Sequence, residues 1–217
     1  MTLEERIAVA LERGDVDQAI TEVVKGYGPQ ILGYLRAVVR DPEDAEEVFS
    51  QFAEDLWKGL AGFRGECSVR VWAYKIAWHA ASRFARDPYR RRRDRLATTM
   101  ASRLAEEILS SSNRMLERRS ADVERLRMHL SPEEQSLLVL RVDRQLSWRE
   151  VAEVLAAGGD EDGGASPAPT DGRREDGPVD EPTLRKRFER LKQKLARLAR
   201  EEGLLEPDTE GGPGRRK

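Results

Sequence analysis

Basic and aromatic side chains cluster in a stretch that ends at residue 95 and could bind nucleic acid. On a helix, its polar residues share one face, which Tyr74 and Trp78 border: Lys75, His79, Ser82, Arg83 and Arg86. Cations can hold phosphates while rings receive unstacked bases, as binding of single-stranded nucleic acid requires. Residues 83–95 add seven arginines against two aspartates. Core packing is the alternative for Trp78, and it is favoured for Trp72.

A second basic stretch, residues 183–200, has eight basic residues and one acid. Its leucines recur at three- and four-residue steps, which predicts a helix with an apolar stripe centred on Leu184. The opposite face would carry Lys186, Glu189, Arg190, Gln193 and Arg197. At the start or on the flanks lie Thr183, Arg185, Arg187 and Lys194. A helix docked by its N-terminal end in the major groove would bring the first set to base edges and the second to phosphates. Pairing with a partner helix is the alternative.

Residues 1–60 carry the opposite charge, with thirteen acids against six bases. After Asp41-Pro42 the acids fall away from the apolar stripe, at Glu43, Asp44, Glu46, Glu47, Glu54 and Asp55. Such a face would attract a basic surface on a partner. A merely solvated helix face is the alternative.

The sequence argues against an enzyme, a metal site and a cofactor. It has two histidines and a single cysteine, Cys67, and it lacks a G-x-S-x-G motif, a glycine-rich phosphate loop and a C-x-x-C pair. Charges interrupt each apolar run at the N-terminus, so we expect no signal peptide and no membrane span. We therefore expect a cytoplasmic protein.

Helical spacing of apolar residues runs through most of the chain, without strict alternation, and predicts an all-α protein. One helix covers Ile31 to Val39, and a second follows Asp41-Pro42 and ends near Gly62. A third begins at about Ser68, with five residues predicted to face inward: Val69, Trp72, Ile76, Ala80 and Phe84. These three helices can enclose one core, and a partly helical linker follows.

Two capping boxes, Ser131-x-x-Glu134 and Ser147-x-x-Glu150, predict short helices in the C-terminal half. The first would be lined by Leu137, Leu138 and Val142, and the second by Val151, Ala152 and Leu155. With the helix that opens at Pro182 they form a helix-turn-helix whose turn is interrupted by residues 158–181, rich in glycine, proline and acids. The longer loop costs only about 1.6 kcal/mol more to close than a short turn. The insert either screens the charge of the basic helix, binds a regulator, or is a solvated loop that the fold tolerates.

Several of these segments resemble a known family. Asp41-Pro-Glu-Asp-Ala-Glu-Glu, Phe63-Arg-Gly-Glu and Trp72-Ala-Tyr-Lys-Ile-Ala resemble the second conserved region of bacterial extracytoplasmic-function (group 4) sigma factors of the sigma-70 family. Leu130-Ser-Pro-Glu-Glu-Gln, Leu146-Ser-Trp-Arg-Glu-Val-Ala and Thr183-Leu-Arg-Lys-Arg-Phe look like its fourth region. The chain departs from the family at Ser50-Gln51, where Gln-Glu is frequent, at His79, where asparagine is frequent, and at the insert.

The resemblance implies a nucleoid-associated sigma factor that binds core RNA polymerase and promoter DNA, recognises and melts the promoter and catalyses no reaction. The implied minus-ten contacts are Arg64, Gly65, Glu66, Cys67, Ser68, Lys75, Trp78, His79, Ser82, Arg83 and Arg86. The implied minus-thirty-five contacts are Thr183, Arg185, Lys186, Arg187, Glu189, Arg190, Gln193 and Lys194. Polymerase contacts, at the beta-prime clamp helices, are Asp44, Glu47, Ser50, Gln51, Glu54 and Asp55. The resemblance also implies the beta flap as a partner and leaves open whether an anti-sigma factor binds.

The resemblance also implies two small helical domains. An N-terminal extension (1–16) precedes sigma region 2 (17–88), a linker (89–121), sigma region 4 (122–203) with its insert (158–181), and a flexible tail (204–217). Two other functions stay open. A helix-turn-helix regulator would bind promoters without polymerase, and a helical interaction scaffold would ignore DNA.

Overall fold

The computed structural model describes residues 1–86, 100–112, 121–156 and 179–204, with side chains left out at 100–102, 111–112 and 121–124. The helices are α1 (Leu3–Glu12), α2 (Val16–Val39), α3 (Pro42–Leu60), α4 (Val69–Arg86), α5 (Met100–Ser112), α6 (Ala121–Met128), α7 (Pro132–Leu138), α8 (Trp148–Ala156) and α9 (Glu181–Glu201). A π-helical turn, Val139–Asp143, extends α7. Within these ranges every regular element is helical, which confirms the all-α fold. The insert and the tail lie almost wholly outside them.

Helices α1 to α5 pack into a first module around α2, which contacts each of the other four. The predicted α3 stripe is confirmed, because its residues are all buried: Ala45, Val48, Phe49, Phe52, Leu56 and Leu60. Asp41 caps α3 by accepting from the Asp44 amide at 2.9 Å, and Pro42 occupies the first turn. The α2 helix begins at Val16, well before the stripe from Ile31 that the sequence indicated.

Segments assigned to the N-terminal extension and the linker also pack on this module. In α1, Ile7 and Ala10 are buried against α2. In α5, Ala105, Ile108 and Leu109 are buried where the helix meets α2 and α3. Gly28 makes room for Ile108, since a Cβ there would overlap its Cδ1 atom. The domain boundaries themselves stay a prediction.

Helices α6 to α9 form a second module, in which both predicted capping boxes are confirmed. The Ser131 hydroxyl accepts from the Glu134 amide at 3.2 Å, and the Glu134 carboxylate accepts from the Ser131 amide at 2.8 Å. The corresponding two bonds between Ser147 and Glu150 measure 3.3 and 2.7 Å. The prediction that Val142 lines this core is wrong. Its side chain is half exposed because the π-helical turn shifts it out of register with α7, and it borders an apolar groove between α6 and α9.

The two modules touch along one side, where α8 lies on α4 and α7 lies on α2. Their buried side chains form one continuous cluster rather than two separate ones. The hydroxyls of Tyr34 and Ser136 share a hydrogen bond of 3.1 Å across this boundary, and both residues are fully buried. The packing of α8 on α4 therefore determines which parts of the basic and aromatic helix are accessible.

Candidate nucleic-acid interface

Two side chains fix the N-terminal end of α4, the helix predicted to bind nucleic acid. The Ser68 hydroxyl accepts from the Val71 amide at 3.2 Å. Glu4, from α1, accepts from the amides of Val69 and Arg70 at 3.3 and 3.1 Å and from the Tyr27 hydroxyl at 2.6 Å. A carboxylate at this end also opposes the positive end of the helix dipole. Ser68 therefore has a structural role, and Glu4 is a site residue that the sequence did not reveal.

The segment before α4 is largely open to solvent. Arg64, Gly65, Glu66 and Ser68 are exposed, and Gly65 adopts a left-handed backbone with φ of 73°. That conformation favours glycine because a Cβ is strained there. Cys67 is half-buried, and burial raises the pKa of its thiol, with Glu153 of α8 adding to the rise.

α4 buries two faces, which differs from the single inward stripe predicted for it. Val69 and Ala80 are buried as predicted, whereas Trp72, Ile76 and Phe84 are only partly buried against the core. Tyr74 and Trp78 are instead 0% and 7% exposed. The prediction that these two rings border an accessible surface is wrong for this conformation, because both are buried, with Tyr74 packed edge-on against Tyr34 of α2 at 5.5 Å.

The exposure of the polar residues of α4 increases toward its C-terminal end. Lys75, His79 and Ser82 are half-buried, while Arg83 and Arg86 near the C-terminal end are exposed. The Arg83 guanidinium pairs with the Asp55 carboxylate of α3. This ion pair joins a predicted minus-ten residue to a predicted polymerase contact. The arginines beyond Arg86 lie outside the described residues.

The α9 helix presents its polar face to solvent as the helical spacing predicted, and Lys186, Glu189, Arg190, Gln193 and Arg197 are exposed. Its apolar side meets the second module through buried Leu184 and Leu191 and through the Phe188 ring, whose centroid lies 5.4 Å from that of Trp148. The outward direction of these side chains is therefore set by the packing of α9 on α7 and α8.

The flanking residues of α9 are held by neighbours. Arg185 lies over the Trp148 ring at 5.4 Å and pairs with Glu181 at 3.4 Å, and Lys194 pairs with Glu134 of α7 at 2.6 Å. Thr183 and Arg187 are half-buried. The Asp180 carboxylate caps the helix by accepting from the Thr183 amide at 2.9 Å, and hydrogen bonding to Thr183 lowers the pKa of Asp180. Trp148 is a further organising residue whose role the sequence did not indicate.

The predicted polymerase contacts lie along the outer side of α3. Gln51 is exposed and donates to Asp55 at 2.9 Å, whereas the Ser50 hydroxyl bonds back to the Glu46 carbonyl at 3.0 Å. Glu54 pairs with Lys58 at 3.6 Å. Asp44 and Glu47 are half-buried. The surface thus keeps a net negative charge next to the Arg83 end of α4.

Within the described ranges, no group of histidine, cysteine, aspartate or glutamate side chains is placed to hold a metal ion. No helix in these ranges is both long and apolar enough to cross a membrane.

Part of the chain is similar in sequence to known proteins. Residues 23–95 match the sigma-70 region 2 family. RNA polymerase sigma factor YlaC of Bacillus subtilis is 27% identical over 139 residues, which cover 63% of this chain and 79% of that protein. RNA polymerase sigma-H factor of Pseudomonas aeruginosa is 26% identical over 159 residues, or 70% of this chain and 82% of that protein. The chain is therefore similar to sigma-70 region 2 over residues 23–95 and to two RNA polymerase sigma factors over more than half of its length.

Proposed function

We propose that this sigma-70-family protein is an RNA polymerase sigma factor of the extracytoplasmic-function type, which binds core polymerase and directs it to promoters in transcription initiation. The observation that carries the proposal is the region 2 match, because residues 23–95 include most of α2, all of α3 and all of α4. The similarity to two RNA polymerase sigma factors supports the same function. In this role the chain is an adaptor that catalyses no reaction, and it acts in the cytoplasm at the nucleoid.

The first module is proposed to bind and melt the minus-ten element. The exposed segment from Arg64 to Ser68 would receive an extruded base, and Lys75, Arg83 and Arg86 would hold phosphates. Support comes from exposure of that segment beside a helix whose C-terminal end is basic. His79 stands where the family often has asparagine, so the base preference at that position is open.

The second module is proposed to read the minus-thirty-five element with α9. Its polar face is exposed along the whole helix, and the N-terminal end carries the greatest density of positive charge. A helix that enters the major groove by that end places Lys186, Glu189 and Arg190 near base edges, with Arg185 and Arg187 near phosphates.

Two surfaces are proposed to contact polymerase. The acidic side of α3 suits a basic patch on the beta-prime clamp helices, since opposite charges steer association. The apolar groove lined by Leu138, Val142 and Leu195 suits an apolar element of the beta flap. An anti-sigma factor would compete for one of these surfaces.

Run-off transcription with purified core polymerase on a pool of genomic fragments tests the proposal. We expect defined start sites only when this chain is added. Replacing Glu54 with lysine should weaken binding to core polymerase, because it puts positive charge on the acidic face, whereas Glu12→Lys, at an exposed position at the end of α1, should not. Promoter binding without polymerase would favour a helix-turn-helix regulator, and core binding without any DNA preference would favour a scaffold.

A further inference from the structure

We propose that Glu4 of α1 positions the segment from Arg64 to Ser68 for selection of the minus-ten base, so that α1 takes part in promoter recognition. Glu4 acts through the backbone of α4 and does not itself touch DNA, which makes it a positioning residue. The inference rests on the proposed function, because it concerns the segment that receives the base. It gives residues 1–16, which the sequence predicts to be an N-terminal extension, a role in the site.

The segment from Arg64 to Ser68 does not hold itself in place. Among the described residues, none of its backbone amides donates a hydrogen bond to another backbone group. Cys67 alone is half-buried, and the other residues of the segment are exposed. A stretch with few bonds and few buried contacts has little stability of its own. The position of the segment is therefore set at its two ends.

The N-terminal end of the segment is anchored locally. Phe63 packs on the Trp72 ring of α4, and 5.1 Å separates the two ring centroids. Gly59, near the end of α3, leaves room for this ring, since a Cβ there would lie only 3.1 Å from it. Both contacts join α3 to α4, the helices that the segment connects. This end is therefore fixed without help from the rest of the chain.

The C-terminal end of the segment is anchored by a carboxylate from a distant part of the sequence. Glu4 accepts from the amides of Val69 and Arg70 at 3.3 and 3.1 Å, and the Ser68 hydroxyl accepts from the Val71 amide at 3.2 Å. Ser68 belongs to the segment and moves with it, whereas Glu4 lies 65 positions before Val69. Glu4 is thus the group that ties this end to the body of the first module.

Glu4 is itself held in place by α2. The buried Tyr27 hydroxyl donates to its carboxylate at 2.6 Å. Burial, and then the hydrogen bond to Glu4, raise the pKa of Tyr27, so the hydroxyl stays protonated as a donor. Leu3 lies against Gly26, where a Cβ would overlap the leucine side chain, and Ile7 is fully buried. A carboxylate locked by packing and by a second hydrogen bond can define the position of the groups it contacts.

The same carboxylate determines what the end of α4 can bind. The first amides of a helix form a natural anion site, which a DNA phosphate could occupy. Glu4 takes two of these amides and adds a negative charge, so a phosphate is repelled from this end. The DNA strand must then approach along the exposed segment. Loss of Glu4 should both loosen the segment and open a competing phosphate site.

Run-off transcription by the holoenzyme tests the inference, on templates that carry each base in turn at each minus-ten position. The measured quantity is the ratio of transcript from the best and the worst base. We expect Glu4→Ala to lower this ratio by about threefold to tenfold, as loss of a helix cap allows. Glu12→Ala, at the exposed end of α1, is the matched control and should keep the wild-type ratio. A wild-type ratio in Glu4→Ala would overturn the inference.

A second measurement separates positioning from a general effect on the fold. Binding of the holoenzyme to a duplex that contains only the minus-thirty-five element should be unchanged in Glu4→Ala, since α9 lies in the other module. Glu4→Gln keeps an acceptor oxygen but no charge, so it should recover part of the minus-ten ratio. Equal losses at both elements would show that Glu4 only stabilises the fold, and the positioning role would be refuted.

Tyr27→Phe protects the test against misfolding of Glu4→Ala. It keeps the buried ring and removes only the hydroxyl that donates to Glu4. Circular dichroism should give wild-type helix content, together with a base ratio between those of the wild type and Glu4→Ala. A wild-type ratio in a folded Tyr27→Phe would contradict the inference.

The wild-type chain tests the sigma function separately. Defined start sites from the wild type, together with an unchanged ratio in Glu4→Ala, overturn only the positioning role. The absence of any start site with the wild type would end both proposals, since no base would then be selected.

Discussion

The α4 and α9 helices are both proposed to bind DNA, but the fold treats their surfaces in opposite ways. α9 buries only its apolar side, and its basic face points to solvent. α4 is buried on two sides, and its Tyr74 and Trp78 rings are buried, with Tyr74 packed edge-on against Tyr34 of α2. Charged groups can stay solvated without cost, whereas large rings are apolar and are stabilised by burial. The polar face of α9 is thus accessible, whereas on α4 the Tyr74 and Trp78 rings are covered.

The largest expected effect, a loss of stability, comes from weakening the packing of α9 on α7 and α8. Leu184 is fully buried, so Leu184→Ala should lower the free energy of unfolding by about 2–5 kcal/mol. Urea unfolding followed by circular dichroism measures it. Leu204→Ala is the matched control, because Leu204 is 36% exposed and its truncation should change stability by less than about 0.5 kcal/mol. Equal effects of the two variants would mean that α9 does not depend on this core.

The contrast between α4 and α9 also separates what the sequence could predict from what it could not. Local patterns predicted the helical class, the α3 stripe, both capping boxes and the exposed face of α9, because each depends on residues a few positions apart. The burial of Tyr74 and Trp78 could not be predicted, since it depends on packing between elements distant in the sequence, such as that of Tyr74 on Tyr34 of α2. The role of Glu4 was missed for the same reason. The exposure of Val142 was missed because a π-helical turn changes the helical period there.

Within α9, two arginines should behave differently if the exposed face reads bases. Arg190 lies on that face and Arg187 on the half-buried flank. Arg190→Ala should cost about 1–3 kcal/mol on preferred promoters and relax sequence preference, whereas Arg187→Ala should weaken all sequences and flatten the salt dependence. Binding titrations with preferred and scrambled duplexes, at two salt concentrations, would distinguish them. The assignment fails if both variants lose the same affinity on every duplex.

On the α4 side, a smaller effect should follow from removing the Glu4 carboxylate, which caps the N-terminal end of the helix. Glu4→Ala removes the acceptor of the Val69 and Arg70 amides and should destabilise the protein by about 0.5–2 kcal/mol, as loss of a helix cap does. Glu12→Ala, at the exposed end of the same helix, is the control. Thermal unfolding measures stability, and amide hydrogen exchange should rise at Val69 and Arg70. Unchanged exchange there would show that Ser68 alone holds the helix end.

The smallest effect concerns acid. Hydrogen bonding to Thr183 lowers the pKa of Asp180 from its ordinary value of 3.8, so the ionised carboxylate stabilises α9 above that value. This stabilisation is lost as pH falls through the lowered pKa, because the protonated form is a poorer cap. Asp180→Asn keeps a capping oxygen but has no proton to gain. Comparing unfolding midpoints at about pH 7 and about pH 3, we expect the wild type to lose more than Asp180→Asn, since only the wild type loses this cap on protonation. Equal shifts of the two midpoints would mean that the acid sensitivity comes from groups other than Asp180. The Asp180 cap would then contribute nothing to holding α9 with its polar face exposed.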